Sequence, residues 1–427
     1  MTSSVSTGYP GSAQAAYGII FLALLGFVLT TDITLTSLLI EPMKRDLRLT
    51  DVEVALVQGT AYGLALGVAS LPMGRLIDSV SRRLLLAIGL GTWAVALCVI
   101  GLSGSLGTLI GGRMALGVVA ALVVPAGFSM AADLFPPERR SVSTSLLVAG
   151  QALGQGCGIL FGGLAFDALT RAGWPGSLQP WRTLYLAAAL VGVVLILLLI
   201  PLREPRRQER RAVGSDTRRA IRELWSYRAF LVPLTLGLLF AQVTIQAAAI
   251  WASPMLIRRG LTPGTFAGWL GPVLLVGGIL GSLAGGWLAE AGRRRAGRRG
   301  VLIPAAILAG LIAPASLFPL ASSLALFGAL LGAHVFAGAV AATIGVISIT
   351  LVIPNEIRGL ALGMNTFVAA VFGAAGAPAA VALISRALGG EQMLSYAFAA
   401  LCIPAALLAT LALILAARSR AEPSDTP

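Results

Sequence analysis

Twelve long apolar runs divide this chain and constrain its fold more than any other feature. A helix that crosses a bilayer needs about 20 mainly apolar residues, and each run is about that length. The runs cover 17–40, 52–73, 84–104, 107–132, 141–167, 183–202, 229–256, 265–289, 301–320, 322–351, 359–385 and 395–417. The sequence therefore predicts an all-α membrane protein with twelve transmembrane helices, which we number span 1 to span 12.

The composition excludes the main classes of soluble protein. Hydrophobic residues make up 57% of the 427 residues and charged residues 11%, whereas soluble domains carry about 25% charged residues. Cys98, Cys157 and Cys402 lie inside apolar runs and lack the spacing of metal ligands. With one histidine, no paired catalytic acids and no Walker-type phosphate loop, the chain is expected to be neither an enzyme nor an ATP-driven pump, and to hold no metal or cofactor.

Basic residues are distributed unevenly between the loops on the two sides of the spans. If the N-terminus is inside, 22 Lys and Arg residues lie inside and eight lie outside. This asymmetry follows the positive-inside rule. Topology therefore explains the net charge of +13, and no nucleic-acid partner is expected. We predict a multi-pass protein of the inner (cytoplasmic) membrane with both termini in the cytoplasm.

A polar stretch at 203–228 separates the first six spans from the last six. Its Arg-rich and Glu-rich pattern, with Ile221 and Trp225, favours an amphipathic helix on the inner leaflet or else a solvated linker. The predicted domains are an N-terminal six-helix half, a C-terminal six-helix half and a disordered cytoplasmic tail, covering 1–202, 229–417 and 418–427.

The two halves repeat short motifs at nearly constant offsets. The first motif is a glycine with an acid four residues later, followed by arginines, and its copies include Gly74, Asp78, Arg82, Arg83 and, 212 residues later, Gly286 and Glu290. The second motif begins at Pro136 and recurs 218 residues later at Pro354. Two pseudo-symmetric six-helix halves are typical of secondary transporters that bind their substrate near the midplane.

The loop after span 2 resembles a motif of the major facilitator superfamily. Residues 74–83 are similar to the family's G-x-x-x-D-R-x-G-R-R pattern, with Ser79 in place of its Arg and Ser81 in place of its Gly. In span 4, Arg113 and Gly117 match the family's R-x-x-x-G pattern. The resemblance implies the major facilitator fold and a cytoplasmic gating role for the first motif and its second copy.

Residues 32–163 have a narrower resemblance to the spinster-like branch and its bacterial relatives. The matching positions include Asp32, Pro42, Gly59, Tyr62, Gly63, Pro72 and Trp93. That branch has an Arg after the first-span Asp and a Glu seven residues after the fourth-span Arg, where this chain has Ile33 and Ala120. Those two acids couple protons in the branch, so the resemblance implies that one of them, Asp32, is kept.

Asp32 and Arg113 are the ionisable residues that the sequence places well inside the membrane in the first half. Buried charges of this kind are costly and often functional. Counting at 1.5 Å per residue puts Asp32 about 12 Å and Arg113 about 9 Å from the outer ends of their predicted spans. We predict that they pair and that Asp32 gains and loses a proton during transport. A static structural ion pair is the alternative.

Several uncharged polar residues mark a predicted substrate cavity. Three pairs share helix faces at i, i+4 spacing, and the predicted lining comprises Gln58, Tyr62, Gln151, Gln155, Gln242, Gln246, His334 and Asn365. His334, near the middle of span 10, is either a substrate ligand, a second titrating group or a hydrogen-bonded packing residue.

The favoured function is proton-coupled uptake (symport) of a small organic solute by alternating access, with an organic acid preferred because Arg113 and His334 are cationic candidates. Loss of the second acid would also fit a uniporter. The alternative is proton-antiport export of an amphiphile, a lysolipid or a drug. The glycines of span 5 are similar to those of drug/proton antiporters, although Ile159 stands where their motif has Pro. A transport-inactive membrane sensor is the alternative of another class.

The expected partners are a small-molecule substrate, protons and the lipid bilayer, and the protein is expected to be a monomer.

Overall fold

The computed structural model describes residues 9–136, 140–173, 178–207 and 217–419. Within those ranges the chain is helical and contains no strand, and twelve helices have the length and composition to cross a membrane. The predicted number of spans and the all-α class are confirmed. We call the end that carries Ser12 and Arg418 the terminal face and the opposite end the distal face.

The first six spans and the linker helix have the following bounds. Spans 1 to 6 are Ser12–Leu47, Asp51–Ser79, Arg82–Gly101, Leu106–Leu134, Arg140–Ala172 and Pro180–Leu199, and the linker helix is Thr217–Ser226. Span 2 contains a π-helical turn at Leu56–Ala61.

The last six spans include one that is interrupted and one that changes helix type along its length. Spans 7 to 10 are Arg228–Arg258, Pro263–Gly300, Ile303–Ala315 and Leu324–Val352. Span 8 has non-helical dihedral angles at Ala296 and Gly297. Span 11 consists of Asn355–Val368, a π-helical turn at Ala369–Ala374 and Gly376–Ala387, and span 12 is Leu394–Arg418.

Span 1 is longer than the sequence predicts. The helix continues through Pro42 to Leu47, because the charged residues after position 40 extend the helix beyond its apolar run. Asp32 therefore lies 15 residues, or about 22 Å, from the distal end of its helix, whereas Arg113 lies about 10 Å from the distal end of span 4. These distances include the charged extension of span 1, so the predicted depths of Asp32 and Arg113 in the membrane stay a prediction.

Hydroxyl side chains begin several of the helices. Ser105 and Ser323 accept hydrogen bonds from the backbone N–H groups of Thr108 and Leu326 and so cap spans 4 and 10. Such caps satisfy N–H groups that the helix leaves free. They explain how the very short connections before these spans reverse the chain.

Glycines allow span 5 to pack directly on span 1. A Cβ atom at Gly150 would overlap the carbonyl oxygen of Ala23, and one at Gly154 would overlap that of Phe27. Close contacts through small residues are the usual way in which membrane helices associate.

The two halves contact each other along spans 1 and 7, spans 2 and 11, and spans 5 and 8. In the second pair, the two π-helical turns pack together: Thr60 donates a hydrogen bond to the carbonyl oxygen of Ala375 over 3.0 Å, and a Cβ at Gly59 would lie 2.8 Å from the carbonyl oxygen of Ala374. We call the contacts of spans 1 and 2 with spans 7 and 11 the distal seam.

The linker helix has two different faces. Leu224 is buried with Phe230 and Ile357 in a cluster of the second half, whereas Ile221 and Trp225, one turn apart, are exposed. Whether this exposed pair lies on the inner leaflet or in solvent, the two alternatives considered for the linker, stays a prediction. Residues 208–216, and most of the predicted tail (420–427), lie outside the described residues.

Candidate functional site

A cavity of about 370 Å³ lies inside the first half. Its walls come from spans 1 to 5, and the residues that line it are Leu29, Thr30, Asp32, Ile33, Tyr62, Trp93, Leu116, Ala120, Val124, Val148, Gln151, Ala152 and Gln155. Most of these side chains are apolar, and Asp32 is the one charged residue among these lining residues. The cavity therefore combines an apolar wall with one carboxyl group.

Asp32 and Trp93 contribute unsatisfied polar atoms to this cavity. Asp32 is 5% exposed, and neither its Oδ1 atom nor the indole Nε1 atom of Trp93 has a hydrogen-bond partner among the described residues. Buried polar groups without partners are uncommon in folded proteins. A ligand that offers both a donor and an acceptor could satisfy these two atoms together, whereas a proton could bind only to the carboxyl group of Asp32.

Arg113 is held by a neighbouring amide. Its guanidinium Nη2 donates to Oε1 of Gln58, while its Nε atom has no partner among the described residues. Arg113 is 3% exposed and is absent from the residues that line the cavity. Asp32 and Arg113 interact electrostatically but form no direct ion pair in this conformation, in which Gln58 binds Nη2 of the guanidinium. Their predicted pairing during transport stays a prediction.

Five of the eight predicted cavity residues line the 370 Å³ cavity or a second one. Tyr62, Gln151 and Gln155 line the first cavity. Gln242 and Asn365 line a separate cavity of about 80 Å³ between spans 7, 10 and 11. Gln58 lines neither, since it binds Arg113, and Gln246 lines neither.

His334 lies in an aromatic cluster of the second half. Its ring centroid is 6.0 Å from that of Phe318 and 6.3 Å from that of Phe398, and its Nδ1 atom lies 3.4 Å from Oγ of Ser316. It is fully buried and lines neither cavity. Its Nε2 atom is buried without a hydrogen-bond partner among the described residues, and the three roles considered for it stay predictions.

An ion-pair network closes the distal seam, and the sequence did not predict it. Arg258 of span 7 binds Asp51 of span 2 with both terminal nitrogens, at 2.5 and 2.8 Å, and Glu41 of span 1 at 2.6 Å. Lys44 binds Asp51 at 2.6 Å and also Glu391, which precedes span 12. Between described residues, every ion pair that joins the halves belongs to this network. In the sequence these residues are visible as acidic and basic residues near helix ends. Their spacing, however, does not identify which acid pairs with which base.

At the terminal face, Arg82 of the predicted gating motif is almost fully buried. It binds Asp133 at the end of span 4 over 2.5 Å and the carbonyl oxygen of Pro205 over 3.0 Å. Glu204 accepts hydrogen bonds from the backbone N–H of Arg82, at 2.9 Å, and from Ser81. The motif thus fixes the segment that follows span 6 onto span 3, and the parts played by Asp133 and Glu204 were missed from the sequence.

The other gating residues are placed differently. Arg83 donates to the carbonyl oxygen of Ile200 over 2.6 Å. The side chain of Asp78 lies outside the described part of the structure. In the second copy, Glu290 is exposed and binds Arg293 and Arg294 of its own helix. A Cβ added at Gly74 or at Gly286 would meet no neighbouring atom of the described residues within 4 Å.

Glu204 is an ionised carboxylate in this arrangement. Burial raises its pKa, but hydrogen bonds from Ser81 and Arg82, together with the positive charge of Arg82, lower the pKa by more. The net pKa is below the ordinary value for glutamate, because the surrounding donors favour the charged form.

A profile of the Major Facilitator Superfamily matches residues 22–335. The chain belongs to this superfamily. It is therefore a multi-pass membrane transporter rather than an enzyme, and the resemblance inferred from the gating motif is confirmed.

Relatives with recorded functions are similar over part of their length. An MFS-type efflux pump of Mycolicibacterium smegmatis is 28% identical over 198 residues, which cover 46% of this chain and 43% of that protein. The puromycin resistance protein of Streptomyces alboniger is 30% identical over 154 residues, covering 36% of this chain and 30% of that protein. A triacylglyceride transporter of Mycobacteroides abscessus is 27% identical over 206 residues, covering 47% and 37%. In each case the match spans less than half of the relative.

Solved structures share the fold over nearly the whole chain. Crystal structures of a bacterial homologue of the human lysosomal transporter Spinster, in inward-facing unoccupied and occupied conformations, give TM-scores of 0.77 and 0.78 at 19% identity. Each match covers 96% of both chains. A nucleoside transporter gives a TM-score of 0.70 at 14% identity, covering 93% of this chain and 99% of the other.

Proposed function

We propose that this protein exports an amphiphilic organic compound in exchange for protons. The observation that carries the proposal is the lining of the larger cavity, in which Asp32 is the one acidic residue and Arg113 does not take part. A mostly apolar cavity with one carboxylate and the aromatic side chains of Tyr62 and Trp93 suits a ligand with an apolar body and a cationic or hydrogen-bond-donating group.

Proton coupling is assigned to Asp32. Its Oδ1 atom is buried without a partner, and a buried carboxylate of this kind is satisfied either by a proton or by a donor group of the ligand. A proton and a substrate that compete for one carboxyl group are exchanged across the membrane when the site faces each side in turn. Ala120, at the position of the second acid of the spinster-like branch, lines the same cavity, so Asp32 is proposed to act without a second carboxylate.

The proposed direction of transport rests on the orientation of the protein in the membrane and on the names of similar proteins. The excess of basic residues in the loops on the terminal face places that face in the cytoplasm by the positive-inside rule. The network at Asp51 and Arg258 then closes the extracytoplasmic side. Proteins named for efflux or for drug resistance are among the similar sequences. The halves at 1–202 and 229–417 are proposed to rock about the cavity, with the protein acting as a monomer in the inner membrane.

Symport of an organic acid is the second candidate. The amides of Gln151 and Gln155 line the cavity and would bind a polar solute. A carboxylate ligand, however, needs a cation in the lining, and the guanidinium of Arg113 is bound to Gln58. The structure therefore supports uptake of an organic acid less well than export of an amphiphile.

The test uses proteoliposomes loaded with a pH dye and containing the full chain. Puromycin, lysophosphatidylcholine and succinate are supplied in separate assays, with Asp32→Asn as the test variant and Glu223→Gln on the linker helix as the control. We expect proton movement that depends on puromycin or the lysolipid, that is lost in Asp32→Asn and that is kept in the control. Proton movement with succinate alone would establish the organic-acid alternative, and substrate movement without protons would establish a uniporter.

A further inference from the structure

Gln58 belongs to a segment of span 2 that has two contacts of different kinds. It lies in the π-helical turn Leu56–Ala61, and its Oε1 atom accepts the hydrogen bond from Arg113. Gly59 and Thr60, the next two residues, contact the π-helical turn of span 11 in the other half. Isolated π-helical turns inside α-helices are often found at functional sites, because each inserts one residue and rotates the side chains around it.

The guanidinium of Arg113 has an incomplete set of partners. Gln58 takes its Nη2 atom, its Nε atom has no partner among the described residues, and Oδ1 of Asp32 likewise has none. Asp32 and Arg113 interact electrostatically across this gap. A neutral amide is a weaker partner for a buried guanidinium than a carboxylate is, so the observed arrangement depends on Gln58 being held in place.

The distal seam is what holds Gln58 in place. A Cβ at Gly59 would lie 2.8 Å both from the carbonyl oxygen of Ala374 and from Cγ of Pro378, and one at Gly63 would lie 2.6 Å from the backbone nitrogen of Ala375. Contacts this close leave the backbone of span 2 no room to shift while span 11 is against it. When the seam opens, this constraint on the π-helical turn is removed.

We propose that Gln58 is a positioning residue that holds Arg113 while the distal seam is closed, and that separation of spans 2 and 11 transfers Arg113 to Asp32. This inference rests on the proposed proton coupling at Asp32. Ionised Asp32 then favours the open seam, since the ion pair forms only there. Protonated Asp32 favours the closed seam, because proton binding and conformation must influence each other equally.

The sign of this linkage suits proton antiport. A proton that binds from the distal side promotes closure of the seam, and its loss on the terminal side promotes the return with substrate. The titratable or charged side chains that interact with Asp32 are Arg113 of span 4, Tyr62 of span 2 and Tyr185 of span 6. Of these three side chains, Arg113 is the charged one, and its guanidinium is the group that the proposed movement brings from Gln58 to Asp32.

The experiment measures the seam directly as a function of pH. Spin labels are placed at Arg45→Cys and Ser322→Cys, two exposed distal positions in different halves, with the native cysteines replaced by alanine and the full chain in lipid nanodiscs. Pulsed electron paramagnetic resonance gives the closed and open populations. For the unsubstituted pair we expect the closed-to-open ratio to rise as the pH falls, by up to about tenfold per pH unit within the titration range.

Three variants separate the possible causes. Gln58→Met keeps the length of the side chain but loses the amide, so Arg113 reaches Asp32 in both conformations and the pH response should fall below about twofold per unit. Thr60→Val weakens the seam without touching Arg113 and should favour the open state at every pH while keeping the slope. Asp32→Asn should abolish the slope.

Each outcome has one meaning. A wild-type slope in Gln58→Met, with the slope lost in Asp32→Asn, overturns the role of Gln58 and leaves the proposed function standing. A wild-type slope in Asp32→Asn overturns proton coupling at Asp32 itself. Loss of the slope in Thr60→Val would show that any damage to the seam has this effect, which also overturns the proposal. Two resolved distances in Gln58→Met demonstrate that the variant is folded.

Discussion

Arg258 of span 7 binds the carboxylate of Asp51 in span 2 with both of its terminal nitrogens, at 2.5 and 2.8 Å. This two-point ion pair joins the halves of the transporter at the distal face, and Glu41 adds a second carboxylate at 2.6 Å. Asp51 and Glu41 are buried. Removing a partner from a buried pair leaves charges uncompensated, at a cost of about 3–5 kcal/mol when the pair is fully buried.

Arg258→Gln is therefore expected to shift the transporter toward conformations that are open at the distal face. The shift should make a cysteine introduced at Ser253, which is buried beneath the network, at least about tenfold more reactive toward a membrane-impermeant maleimide, a change of about 1.4 kcal/mol. Arg259→Gln is the matched control, since Arg259 donates to the carbonyl oxygen of Pro319 within its own half. Equal reactivity in both variants would show that the network does not hold the seam.

Glu204→Gln should destabilise the terminal face by about 1–2 kcal/mol, the usual range for hydrogen bonds to a charged group that is partly exposed. Because the pKa of Glu204 is lowered in the folded protein, its contribution is present above the ordinary glutamate range and is lost as the pH falls through the folded value. Thermal unfolding in detergent at several pH values measures this. Glu290→Gln is the control, since Glu290 binds only arginines of its own helix on an exposed surface, and its Tm should change little. A larger loss in the control would contradict the assignment.

Gly154→Ala should cost about 1–3 kcal/mol through overpacking, because the added Cβ overlaps the carbonyl oxygen of Phe27. Gly111→Ala in span 4 is the comparison, since no atom lies within 4 Å of its Cβ position, and alanine there should be neutral or stabilising. Thermal unfolding of the two variants tests the difference. Similar Tm values would mean that spans 1 and 5 separate at little cost.

Gln155→Leu should weaken substrate binding while leaving the protein folded, because Gln155 lines the larger cavity. Loss of one hydrogen bond to the ligand corresponds to about 0.5–1.5 kcal/mol, or roughly a two- to tenfold rise in KM. Gln246→Leu removes the same group from a half-buried position in the second half that lines neither cavity. Uptake of puromycin into inverted vesicles compares the two. A higher KM in Gln246→Leu than in Gln155→Leu would place the substrate elsewhere.

His334→Phe should keep transport within about twofold of wild type, because His334 packs against Phe318 and Phe398 and another ring fits the cluster. The measurement is puromycin-driven proton movement across the pH range. A displaced pH profile would restore the titrating role that the sequence allowed for this histidine.

The sequence predicted the number of spans and the superfamily. Periodicity and composition suffice for these, because they depend on each helix alone. The sequence did not predict that Gln58 binds Arg113, since that contact depends on how spans 2 and 4 pack. The partners of Arg258 were also missed, because they come from three separate segments whose arrangement only the folded chain establishes.

The linker shows a similar limit. The polar stretch at 203–228 is evident from composition, but composition did not predict that Glu204 and Pro205 bind Arg82 of span 3. A long charged extension likewise carried span 1 beyond its apolar run to Leu47. Hydropathy predicts where a helix leaves the hydrocarbon core of the bilayer, but it does not predict the residue at which the helix ends.

The glycines of span 5 pack against two different helices, span 1 and span 8. Gly150 and Gly154 lie against span 1, whereas Gly156 meets the carbonyl oxygen of Gly271 in span 8 and Gly163 meets the Cβ of Ala267. Span 8 belongs to the other half, and the Cβ of its Leu275 would lie 2.9 Å from a Cβ at Gly156. The glycines therefore let the backbones of the two halves approach closely. A side chain added at Gly156 or Gly163 would force spans 5 and 8 apart, and it is expected to alter the relative movement of the halves although neither residue lines the larger cavity.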